Sequence, residues 1–148
     1  MSRSGKLKQA EPLCVSKKII SDYAEKIAKY IGYEPGDDIY EVINTLGGHI
    51  IYVHSWKEFV RHNQIDGTIV VRAPGDFDIF LASFYGMFET RFTLAHELGH
   101  YFLHSIDPNK EVLRPGEKPI FINRAKEEDK KKQRVEWEAN RFAEAFLR

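Results

Sequence analysis

The chain has 148 residues, 43% hydrophobic and 30% charged, which fits one globular domain able to bury a core without covalent staples. Its 22 Lys and Arg balance 22 Asp and Glu, and without the basic excess or stripe typical of nucleic-acid binders no direct contact with DNA or RNA is expected. The single cysteine, Cys14, excludes an intrachain disulfide and suits a reducing compartment.

Residues 1–15 are polar and read as a flexible N-terminal segment, leaving 16–148 as the domain. Their first fourteen residues, MSRSGKLKQAEPLC, hold no apolar run that could act as a signal peptide, and no segment is apolar enough to span a bilayer. The expected location is therefore the cytoplasm, with no membrane partner. Ser16 is placed to cap a helix. Ile19, Ile20, Tyr23, Ile27, Tyr30 and Ile31 follow at helical spacing until Gly32 ends the run. A short second helix is predicted from Asp37 or Asp38 to Leu46, with Ile39, Val42, Ile43 and Leu46 inward and Gly47-Gly48 as its stop.

Three strands are predicted next, over 49–54, 67–72 and 77–84, the second ending at the turn signal Ala73-Pro74-Gly75. The third directly precedes the next helix. It is expected to border the functional cleft, where an exposed edge could take an extended peptide by strand addition; a plain core strand accounts for the same residues. Thr90 can cap a helix from Arg91 to about His104, which Asp107-Pro108 cannot continue. Residues 109–125 read as a loop with a short extended piece at 120–122. The last helix begins in the mixed-charge run 126–134, a solvated face, and continues to the C-terminus. Helices, a small meander and helices again predict an α+β domain, with a small antiparallel or mixed three-stranded sheet packed with helices.

Chemistry concentrates in His96-Glu97-Leu98-Gly99-His100. Two histidines four apart stand on one helix face, about 6 Å apart along the axis, and can converge on one tetrahedral zinc ion. Glu97 can reach a water on the open coordination position and act as general base. The plain alternative is a helix with two ordinary histidines and a solvated glutamate. Against it, Phe92, Leu94, Ala95, Leu98, Phe102 and Leu103 make the helix apolar nearly all round, hence buried, and buried polar groups need partners. Gly99 costs about 1 kcal/mol against alanine in mid-helix, which implies that something packs close to it. His104 continues the series but lies about 12 Å from His96 along an unbroken helix. It is therefore expected to be a C-terminal helix residue rather than a ligand. The metzincin pattern also fails, because its later Gly and His are missing.

A third ligand is sought on the last helix. At about 100° per residue, Val135, Ala139, Phe142, Ala143, Phe146 and Leu147 form an apolar arc, and Arg134, Glu138, Arg141, Glu144 and Arg148 lie opposite. Glu136 falls inside the arc, where an unpaired carboxylate is costly. It is the expected third zinc ligand, with Glu138 the poorer choice and a salt bridge from Glu136 to an arginine such as Arg91 the alternative. Asn140, one turn on, can accept the free ring N–H of a ligand histidine. Tyr101 is a candidate oxyanion stabiliser, although tyrosines here read better as core.

The segments RFTLAHELGHYFLH, residues 91–104, and EWEANRFA, residues 136–143, closely resemble the ImmA/IrrE family of metallo-endopeptidases. The resemblance extends over most of the chain from Ser16, and its two motifs together are specific. It implies a gluzincin-like zinc peptidase with a zincin-type metal-binding helix, and it matches Glu136 and Asn140 to the family's Glu-x-x-Ala-Asn motif. It also implies a protein substrate, a helix-turn-helix transcriptional repressor whose cleavage relieves repression in a mobile element or stress response. Two other readings stay open: a metal-containing binding module that displaces a repressor without proteolysis, and another zinc hydrolase such as a deformylase. The second lacks its cysteine-bearing motif here.

Overall fold

In the computed structural model, residues 10–53, 68–82, 87–105, 120–123 and 130–148 are described. Helix α1 (Lys17–Ile31) starts where Ser16 Oγ accepts the N–H of Ile19 at 3.2 Å. It ends at Gly32, whose φ of 80° lets the chain turn back. Its buried side is narrow, formed by Ile20, Ala24 and Ala28, while Ile19 and Tyr30 are exposed. Helix α2 (Ile39–Thr45) is capped by Asp38, which accepts the N–H of Tyr40 at 2.9 Å, and buries Ile39 and Ile43.

The sheet has four strands in the order β1-β3-β2-β4: β1 (Gly48–Val53), β2 (Thr68–Ala73), β3 (Asp76–Ala82) and β4 (Ile120–Asn123). The fourth is the short extended piece expected near 120–122. β1 runs parallel to β3, and the other two pairings are antiparallel. β3 is internal, with Ile79 opposite both Ile50 and Ile69, so the exposed edge expected of it is absent; the outer described strands are β1 and β4. Gly47 precedes β1 with φ 93°, and a Cβ there would meet Gly75 O at 1.9 Å.

Helix α3 (Met87–His100) leads directly into a π-helical turn, Tyr101–Ser105, and helix α4 (Lys130–Leu147) ends the chain. Period-two alternation buries Ile69, Val71, Phe77, Ile79 and Leu81, and α3 packs on the sheet with Leu94, Ala95 and Leu98 in the same core. α4 is packed on two sides, against α3 and α1, and buries Ala139, Phe142, Ala143 and Phe146. Among the described residues no helix is long and apolar enough to cross a membrane. The expected strand ends at 54, 67 and 84 lie outside the described residues. So do the segment 1–9, the Asp107-Pro108 break, most of the loop 109–125 and the start of the charged run 126–134.

Candidate metal centre

α3 begins at Met87, one turn before the expected cap. Thr90 therefore lies within the helix, as Met, Phe and Glu at 87–89 carry no helix-breaking penalty. The close approach expected at Gly99 is present: a Cβ there would lie 3.0 Å from Ala139 O and 3.1 Å from Phe142 Cβ. α3 and α4 thus touch backbone to backbone, next to His96 and His100 on one side and Glu136 and Asn140 on the other.

His96, Glu97 and His100 are fully buried. The two imidazoles lie 4.7 Å apart and nearly perpendicular. Between them reaches Glu136, with Oε1 2.9 Å from His96 Nε2 and Oε2 3.0 Å from His100 Nε2. The ligand atoms of the three residues all fall within 4.8 Å of one another. The Glu136 side chain is 28% exposed, so the cluster opens to solvent on that side.

Each histidine also has a partner at its other nitrogen. His96 Nδ1 lies 2.7 Å from Asn140 Oδ1, and His100 Nδ1 lies 3.0 Å from His104 Nδ1. A neutral imidazole donates from one nitrogen only. With a carboxylate at one nitrogen and an amide oxygen at the other, the His96 ring must either take a second proton or give a lone pair to a cation. Burial disfavours the proton and pushes His100 down to about 3. Burial alone would raise Glu136, but its contacts with His100 and His96 outweigh that and hold it well below the usual carboxylate range. Two neutral nitrogens and one carboxylate form the donor set of a catalytic zinc site, and the residues fit such an ion.

His104 lies in the last described turn of its helical run, as expected. The wider π turn buries it, and its Nε2 lies 2.9 Å from Glu138 Oε1. Glu138 is not on the solvent side of α4, because the N-terminal segment at Leu13 and Cys14 covers it. It is fully buried and accepts from Leu13 N at 3.0 Å, Cys14 N at 2.8 Å and Arg134 Nε at 3.1 Å. Burial would raise its pKa, but these donors and His104 together hold it down to about 2. This His104–Glu138 pair was missed by the helical wheel, and its one sequence signal is His104 continuing the four-residue series. Tyr101 Oη accepts the N–H of Gly75 at 2.9 Å and its ring stacks on Phe77. Its hydroxyl thus serves the β2–β3 turn and not the cluster. Arg91 bonds Tyr33 Oη and Asp37 O, an anchor to the α1–α2 connection in place of the alternative pairing with Glu136.

Residues 79–147 match the model of the Peptidase_M78 family, described as an IrrE N-terminal-like domain. The matched stretch contains His96, Glu97, His100, Glu136 and Asn140. No curated protein and no solved structure matches the chain.

Proposed function

We propose, on the premise that residues 79–147 belong to the Peptidase_M78 family, that the chain is a zinc-dependent endopeptidase acting on a protein substrate. The observation that carries this reading is the convergence of His96, His100 and Glu136 within 4.8 Å, with Glu97 buried next to His96. Zinc bound by these three residues would polarise the scissile carbonyl and lower the pKa of a water molecule. Glu97 is the general base: it takes the proton of the attacking water and later passes it to the departing amine. A structural zinc site would have no use for such a carboxylate. Asn140 holds the His96 ring by accepting its Nδ1–H, so that Nε2, the nitrogen facing Glu136, is the one that would ligate.

The substrate we propose is a helix-turn-helix transcriptional repressor in the cytoplasm. The ImmA/IrrE resemblance of residues 91–104 and 136–143 supports it, and the zero formal net charge favours a protein over nucleic acid. The test uses the zinc-loaded chain and purified helix-turn-helix repressors from the same genome. The wild type should cut one of them, and Glu97→Gln should retain one zinc and lose cleavage. Wild-type rates in Glu97→Gln would remove Glu97 from the mechanism. Tight repressor binding without any cut would replace proteolysis by displacement.

A further inference from the structure

We infer that Glu138, gripped by the N-terminal segment and acting through His104, is the residue that orients His100 for metal binding. This rests on the zinc site proposed above. The two ligand histidines are supported differently. His96 has Asn140 directly behind it, whereas behind His100 stands a second imidazole and, behind that, a carboxylate.

The proton positions in this relay are fixed by chemistry. To ligate through Nε2, the atom facing Glu136, His100 must carry its proton on Nδ1. That N–H donates to His104 Nδ1 across 3.0 Å, so His104 must carry its own proton on Nε2. This second N–H meets Glu138 Oε1 at 2.9 Å. Glu138 can only accept, so the relay has one consistent direction, away from the metal position. The His104 and Glu138 side chains are wholly buried, and no solvent competes for their bonds.

A second, independent observation comes from the other end of the chain. The consecutive N–H groups of Leu13 and Cys14 each take one oxygen of Glu138, at 3.0 and 2.8 Å. To aim both at one carboxylate, Cys14 adopts φ 59°, the only positive φ of a non-glycine residue among those described. A side chain held in the left-handed region costs energy and persists where the surroundings demand it. Paired backbone N–H groups of this kind form an anion cradle. Arg134 Nε closes the remaining side of the carboxylate at 3.1 Å. The cradle thus fixes Glu138, Glu138 fixes His104, and His104 fixes the plane and tautomer of His100.

The test is zinc affinity of the full chain, read by competition with a chromophoric chelator, together with the visible spectrum of the cobalt-loaded protein. Glu138→Gln and His104→Leu should each weaken zinc binding by about 10–100-fold and shift the cobalt bands. His104→Gln, which offers one acceptor and one donor, should recover part of the loss. Asp38→Ala serves as the stability control, since it removes the cap of α2, an element that carries no part of the relay. It should lower the melting temperature and leave zinc affinity unchanged. Wild-type zinc affinity and an unshifted cobalt spectrum in folded Glu138→Gln and His104→Leu would overturn the positioning role and leave the zinc site standing. The role is equally lost if Asp38→Ala weakens zinc as much as they do. A wild-type chain that binds no zinc defeats the site itself.

Discussion

Replacing Gly99 by alanine sets two known effects against each other. In an unconstrained helix the change stabilises by about 1 kcal/mol, because alanine loses less backbone entropy and shields the chain from water. Here the new methyl would sit 3.0 Å from Ala139 O, 3.1 Å from Phe142 Cβ and 3.2 Å from Ala139 Cα. Two of these are backbone atoms of α4, so no side chain can rotate away, and the helix itself must move by a few tenths of an ångström. Overpacking of this kind costs about 1–3 kcal/mol. Taking the middle of that range, the net loss is about 1 kcal/mol, a fall of roughly 2–4 °C in melting temperature at this chain length. The displacement also falls on the helix that carries Glu136 and Asn140, so zinc affinity should drop with it. Urea titration and calorimetry of the metal-free variant give the first quantity, and chelator competition gives the second. A variant stabilised by about 1 kcal/mol with unchanged affinity would show that the α3–α4 contact is loose and the reasoning wrong.

Removing zinc should destabilise the chain, since the ligand set exists only in the fold; at free zinc 100 times Kd the loss is about 2.7 kcal/mol, and His96→Ala or His100→Ala should abolish that difference in a thermal scan. Asn140→Ala should weaken zinc binding by about 10–100-fold, as expected when a ligand histidine loses the acceptor behind it; unchanged affinity in the chelator assay would count against that role. Acid should destabilise the metal-free protein in a defined window. Glu138 is held down to about 2, so its contribution is full above its ordinary value near 4.5 and is lost as pH falls toward 2, by up to about 3 kcal/mol. His100 is held down to about 3; its contribution is full above pH 6.5 and fades as pH falls toward 3, so both groups act in the same direction. Urea midpoints from pH 7 to pH 3 should fall steadily in the wild type and less steeply in Glu138→Gln.

The residues that sequence reading placed correctly are those whose environment is set by their own helix. Ser16 and Asp38 cap helices because a short polar side chain before an apolar run can accept a free N–H of the first turn. Glu136 stands out because a carboxylate inside an apolar arc is anomalous whatever lies across from it, and the structure brings it between His96 and His100. Glu138 shows the limit of that method. Its wheel neighbours are charged, so it reads as solvated. Yet its partners come from Leu13, Cys14 and His104, far away in the chain and joined to it only through tertiary packing. The pairing of His104 with Glu138 was hidden for a related reason, since a π turn after His100 breaks the 3.6-residue period on which the wheel depends. The order of strands in the sheet was equally hidden. Alternation shows which faces of β3 are buried, but not that β1 and β2 both pair with it.

Gly47 carries a warning for anyone who maps this protein by saturation mutagenesis. Any side chain there would run into the carbonyl oxygen of Gly75 at 1.9 Å, in a backbone conformation that already disfavours one. The position would score as intolerant as a zinc ligand, although it has no chemistry to offer. A heat map of fitness would therefore draw two hot regions, one of them only the mould in which β1 and the β2–β3 hairpin are cast. Assays that count folded protein separately from turnover would divide them: Gly47 variants would vanish from the soluble pool, whereas Glu97→Gln would remain in it, silent.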